Sequence, residues 1–271
     1  MYFTLPSSLI HHVALLTLAG VAVLAGAGNS ASEVSSVKST DQSTIPVQPS
    51  MPMKTAPLVI YSVGDSISVQ YGEYLGGMLG EKFQVMRRSG DREAQENLNI
   101  PKGSNSGDSN RVLEYLKART GIGDFRPDLL IFNCGLHDVK RMTSDGGAQV
   151  PIAAYRANLE ELATQLKLYG IPAAWIRTTH SNDLIHNKNP ALGFFRFSAD
   201  VEAYNHVADE VMKVADIPVI DLAGFTKGLG TDEELFCDHV HFQENVRRLQ
   251  AAFLAGWIQS YFGRNIVSDK K

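Results

Sequence analysis

Three short polar patches stand out along the chain: Gly64-Asp65-Ser66 and Gly135-Leu136-His137-Asp138, each after an apolar run, and Asp238-His239-Val240-His241 near the C-terminus. Between them they hold a hydroxyl, imidazoles and carboxylates. Acyl transfer through a serine needs that set: a hydroxyl to attack, a base to take its proton, a group to orient the base, and donors for the developing oxyanion. Asp238 and His241 stand three positions apart, so a carboxylate within one turn can hold one ring nitrogen and leave the other facing a serine. His239 competes for the part of base, but it adjoins Asp238, and neighbouring side chains in a strand or turn diverge. It is therefore read as a solvated histidine. Ser66 follows an apolar run and opens a helix, so its N–H has no intrahelical acceptor and can point at a bound acyl group. Alone, Gly-Asp-Ser would be helix-capping material; it is the combination with the other patches that points to chemistry.

Such patches need a frame that brings them together. From residue 57 onward, apolar strand-like runs alternate with amphipathic helical stretches, the pattern of an α/β protein with a mainly parallel sheet. Strands are predicted at 58–63, 84–87, 128–134, 173–178 and 217–222, and helices at 69–81, 110–118, 152–168, 199–215 and 244–261. The helix at 69–81 carries Leu75, Met78 and Leu79 on one side, and that at 110–118 carries Val112, Leu113 and Leu116 at core spacing. The run 128–134 is apolar almost throughout and reads as a buried central strand. Each patch falls just after a predicted strand or just before a predicted helix, the edge at which open parallel sheets bind ligands.

The chain has 271 residues, 44% of them hydrophobic, enough for one domain over 58–265 with a short tail at 266–271. A net charge of -4 without a long Lys/Arg block leaves no electrostatic footprint for nucleic acid, and no nucleic-acid partner is expected. Residues 1–31 read as a signal peptide: an apolar stretch from 13 to 27, short for a membrane span, is followed by small residues that allow cleavage after Ala27 or Ala31. No basic leader precedes it, so an uncleaved anchor is the alternative and the only expected membrane contact. Residues 32–57, rich in Ser, Thr, Pro and Val, read as a flexible linker. The expected location is the periplasm or the medium.

In order and residue type the patches resemble the SGNH (GDSL-type) hydrolase family, over roughly residues 58–262. The resemblance implies a three-layer α/β/α, flavodoxin-like fold, with Ser66 as nucleophile, His241 as general base, Asp238 as its orienter, and neither metal nor cofactor. It also implies a second block with a glycine oxyanion donor. Gly107, in the loop Gly103-Ser-Asn-Ser-Gly-Asp-Ser-Asn110, matches that block best, with Gly103 as the alternative. The third block departs from the family pattern Gly-x-Asn-Asp, because His137 stands where the oxyanion-donating asparagine would be. A neutral imidazole can donate one N–H, so the expected oxyanion set is Ser66, Gly107 and His137; a hydrogen-bonded core histidine is the other reading of His137. Cys134 and Cys237 each abut a block, and a disulfide between them would pin the two blocks together, the alternative being two free thiols.

The implied activity is hydrolysis of a carboxylic ester, of an acetylated carbohydrate, a lipid or a small molecule, through an acyl-enzyme on Ser66. Specificity would reside in 88–109 and 180–198, with Phe194, Phe195 and Phe197 beside Arg177 and His180 as candidates to line a pocket or, equally, as core residues. An O-acyltransferase acting on a polysaccharide of the cell envelope would use the same residues. A metal-dependent phosphoesterase needs an early Asp-x-His and a second acid soon after Gly64-Asp65; residues 57–63 hold no carboxylate or histidine, and Ser68 and Val69 stand where the bridging acid would be.

Overall fold

Leu58–Val63 (β1) is an apolar run whose last four side chains are buried, and it lies inside a five-stranded sheet in the computed structural model, which describes residues 56–268. The chain continues through α1 (Ser66–Leu79), β2 (Phe83–Arg87), α2 (Asp91–Glu96), α3 (Ser109–Gly121), β3 (Leu129–Phe132), α4 (Ile152–Leu168) and β4 (Ala173–Ile176). It then runs through α5 (Asp183–Asn187), a 3-10 turn at Pro190–Leu192, α6 (Ser198–Val214), β5 (Val219–Ile220), α7 (Leu222–Lys227), α8 (Asp232–Leu235) and α9 (Glu244–Ser268). Every strand pair is parallel, in the order β2-β1-β3-β4-β5. This is the flavodoxin-like doubly wound order, whose direction reverses between β1 and β3. Val63 pairs with Phe132, so the turns that follow β1 and β3 emerge side by side at that reversal.

All four side chains of β3 are buried, as expected for a strand covered on both faces. Phe132 packs edge-on against Trp175 of β4, with ring centroids 5.3 Å apart, and both are fully buried. One helix group packs α1 on α9 and α9 on α7; another packs α3 on α4 and α4 on α6. The helices flank the sheet as the predicted α/β/α layers.

The predicted elements differ from the observed ones mainly at their ends. The first helix begins at Ser66 instead of 69 because the buried Asp65 side chain accepts the Ile67 N–H at 2.9 Å and caps it. The last strand shrinks to two residues because the Ile217 N–H is given to the Met212 carbonyl and Asp221 turns to cap α7. Helix α9 runs on to Ser268, past the predicted end at 261 and into the predicted tail. The short helices α2, α5, α7 and α8, of four to six residues, were not predicted; so few turns carry no apolar period. The expected signal segment at 1–31 and nearly all of the expected linker at 32–57 lie outside the described residues. Among the described residues no helix is long and apolar enough to cross a membrane.

Candidate active site

The turn after β1 is packed too tightly for any residue larger than glycine at its head. A Cβ on Gly64 would lie 2.1 Å from Asn133 Oδ1 and 2.8 Å from Ser68 Cβ. Asp65 follows, fully buried, its carboxylate accepting from the Ile67 N–H and, at 3.4 Å, from Asn133 Nδ2. Burial pushes its pKa up, against the lowering effect of those hydrogen bonds and of Arg196. The cap leaves Ser66 as the first residue of α1, 2% exposed, with its N–H among those a helix start leaves unpaired.

The histidine arrives from the opposite end of the chain on a closed loop. Phe236 and Phe242 form an antiparallel bridge with stacked rings 4.7 Å apart, and the Cys237 N–H donates to the His241 carbonyl at 2.9 Å. Inside this loop Asp238 Oδ1 accepts from the N–H groups of Val240 and His241 at 2.8 and 2.7 Å. Asp238 Oδ2 lies 2.7 Å from His241 Nδ1, and His241 Nε2 lies 3.0 Å from Ser66 Oγ. Partial burial works to raise the Asp238 pKa, but the hydrogen bonds and charge of His241 and the two N–H groups outweigh it and hold the group well below the usual carboxylate range. A carboxylate only accepts, so Nδ1 carries the proton and the Nε2 lone pair faces the Ser66 hydroxyl. The three residues named from the sequence therefore form one hydrogen-bonded chain across 175 positions.

The two expected oxyanion donors stand differently. The loop of Gly107 is tied beside Ser66 by a bridge between Gly64 and Asn105 and by the Ser106 N–H donating to the Gly64 carbonyl at 2.8 Å. The Gly107 N–H, however, donates to Asn105 Oδ1 at 3.1 Å. This corrects the expectation of a donor held free for a ligand: the glycine is needed for its φ of +76° and its closeness to Pro101 and Arg111. His137 follows β3, is 2% exposed, and has a buried Nδ1 with no hydrogen-bond partner. Burial, with the charges of Lys140 and Arg196, pushes its pKa well down and keeps the ring neutral. Its neighbour Asp138 accepts the Ser109 N–H at 2.9 and 3.1 Å, tying the β3 turn to the start of α3. Burial raises the Asp138 pKa to about 7 despite those bonds.

His239 is not the solvated side chain expected from the sequence. It is 5% exposed, and its Nδ1 lies 2.8 Å from Nδ1 of His186, a residue not singled out in the sequence. Burial lowers the pKa of His239 to about 4 and of His186 to about 3, so one neutral ring donates to the other. Cys134 and Cys237 are free thiols, the first buried and the second exposed, the latter held by the His241 carbonyl at 3.4 Å; no disulfide pins the blocks. Arg177 is paired with Asp209 and Asp221, and His180 with Asp232. Both line a cleft of about 350 Å³ that includes none of Ser66, Asp238 and His241. Phe194, Phe195 and Phe197 are partly buried. Asp65 and Asp108 each precede a serine that opens a helix, a capping signal legible in the sequence; for His186 and Arg196 the sequence carries no such signal.

A profile of the GDSL-like lipase/acylhydrolase family matches residues 62–249. Among solved structures the fold is similar to that of a lipase/acylhydrolase from Enterococcus faecalis, at 20% identity and TM-score 0.55, over 75% of this chain and 96% of that one. It is also similar to an acetyl xylan esterase (16%, TM-score 0.52, 74% and 100%) and to a carbohydrate acetylesterase from Sinorhizobium meliloti (12%, TM-score 0.52, 75% and 99%). No match is found among curated proteins. With the family profile spanning most of the chain, both strand-end blocks and the terminal Asp-His pair, the chain belongs to the GDSL-like lipase/acylhydrolase (SGNH) family of ester-hydrolysing enzymes.

Proposed function

We propose that Ser66 is the nucleophile of a serine esterase with His241 as general base and Asp238 as its orienter. The observation that carries this reading is the continuous contact from Asp238 Oδ2 to His241 Nδ1, 2.7 Å, and from His241 Nε2 to Ser66 Oγ, 3.0 Å. Ser66 Oγ attacks the ester carbonyl as Nε2 takes its proton, and Asp238 stabilises the imidazolium that forms. The oxyanion receives the Ser66 N–H at the start of α1 and an N–H from neutral His137. Gly107 joins them only by turning its N–H away from Asn105 Oδ1. His241 then returns the proton to the leaving alcohol, and a water deprotonated by the same ring releases the acid.

The acetyl xylan esterase and carbohydrate acetylesterase among the structural neighbours support acetylated carbohydrate as the substrate class. The apolar stretch before residue 31 supports export to the periplasm or the medium. Transfer to a sugar hydroxyl instead of water would use the same residues, and product analysis with and without an acceptor sugar separates the two. The mechanism is tested with a fluorophosphonate probe: wild-type protein should be labelled at Ser66, and Ser66→Ala should lose both labelling and turnover of 4-nitrophenyl acetate. Full turnover by Ser66→Ala would refute the reading.

A further inference from the structure

Two loops reach the Ser66–His241 pair through a run of ring contacts, Phe194 to His186 at 5.1 Å, His186 to His239 at 4.7 Å and His239 to His241 at 6.0 Å, and they carry two cations with no ion pair among the described residues. Arg196 is 3% exposed, its Nε is buried without a hydrogen-bond partner, and its side chain forms no ion pair among the described residues. Its position is built: Asn187 grips its backbone from both sides, Oδ1 accepting the Arg196 N–H at 2.9 Å and Nδ2 donating to its carbonyl at 2.8 Å. Lys140, on the turn that begins with His137, is likewise without an ion pair among the described residues. The two loops are joined by reciprocal backbone hydrogen bonds between Arg141 and Phe195, 2.9 and 2.7 Å. Both cations meet on the ring of Phe194, with Lys140 Nζ 4.6 Å and Arg196 Cζ 5.2 Å from its centroid.

The negative charges nearest Arg196 do not satisfy it. Asp65 and Asp238 both act electrostatically on it, yet Asp65 is engaged by Ile67 and Asn133, and Asp238 by Val240 and both the N–H and ring of His241. An arginine Nε withheld from water with its N–H unmet is costly, and such a group calls for an explanation, of which a ligand that supplies the acceptor is one. The planar fork of arginine matches a carboxylate, and an ammonium group adds a point charge beside it.

We propose that Arg196 and Lys140 form a subsite for a carboxylate of the substrate, so that the preferred ester bears a negative charge close to the carbonyl attacked by Ser66. This rests on the serine-esterase reading above and narrows its substrate class to acidic esters, a description that fits acetylated acidic sugars better than neutral ones. The charge can belong to either half of the ester, and two matched pairs separate the cases. 4-Nitrophenyl hemisuccinate against 4-nitrophenyl butyrate places it on the acyl half; 3-acetoxybenzoate against 3-acetoxybenzamide places it on the alcohol half.

In at least one pair the wild-type kcat/KM for the charged ester should exceed that for the neutral one by about tenfold. That ratio should fall towards one in Arg196→Gln and in Lys140→Gln. A ratio cancels general losses of active protein, and Lys140, being only partly buried, supplies a second variant should the arginine replacement fail to fold. Neutral esters hydrolysed through Ser66 with no charged preference in either pair, or a preference unmoved by either substitution, would overturn the subsite and leave the serine mechanism standing. No turnover of any of the four esters by protein that hydrolyses 4-nitrophenyl acetate through Ser66 would overturn the subsite alone, and no turnover of 4-nitrophenyl acetate either would overturn both.

Discussion

The replacement Asp238→Asn tests the hydrogen-bond chain at its most informative point. Asp238 Oδ1 accepts two backbone N–H groups, at 2.8 and 2.7 Å, and an amide nitrogen cannot take that place because it is itself a donor. The asparagine oxygen must therefore face the backbone, which turns its NH₂ group onto His241 Nδ1. That ring nitrogen then has to accept, so its proton moves to Nε2, and the atom 3.0 Å from Ser66 Oγ changes from base to donor. In the Ser-His-Asp template a wrong tautomer costs about 10⁴ in kcat. Here the Asp238 side chain is 42% exposed, so water can partly restore the right tautomer, and we expect a loss of about 10³-fold, about 4 kcal/mol of transition-state stabilisation. Asp238→Ala leaves Nδ1 to water and should lose no more than Asp238→Asn does. Turnover of 4-nitrophenyl acetate, normalised to folded protein by circular dichroism, measures both. An Asp238→Asn enzyme within threefold of wild type, or clearly more active than Asp238→Ala, would refute the tautomer argument.

If His137 donates to the oxyanion, His137→Ala should lower kcat by about 10²-fold with little change in KM, and an unchanged kcat would remove it from the site. Asp138, with its pKa raised by burial to about 7, keeps in the folded state a proton that the unfolded chain has already lost. Its contribution to stability is present in acid and falls as pH rises from about 4 to about 7, by about 4 kcal/mol; urea unfolding should show this fall in wild type and not in Asp138→Asn, and parallel stability curves would refute it. Thiol titration should find only Cys237 reactive in the native protein and both cysteines in unreduced, denatured protein; no titratable thiol after denaturation would restore the disulfide.

The alternation of apolar runs with amphipathic stretches was enough to read the α/β class and the strand cores, because burial on both faces of β3 leaves a continuous apolar signature. The contact of Asp238 with His241 was legible for a related reason: their three-residue spacing is a local property of one turn. Position in space was not local. His239 and His241 differ by two positions and share a residue type, yet one packs against His186 in the interior and the other reaches Ser66. The Gly107 N–H is given to Asn105 within a two-residue turn, a choice between loop and ligand that composition does not decide. Cys134 and Cys237 abut the third and last sequence blocks without being joined in the fold. Local residue chemistry thus specified which groups could react. The tertiary structure decided which of them meet, because the parallel register of β1 with β3 and the closed Phe236–Phe242 loop bring together backbone segments that sequence separation leaves unrelated.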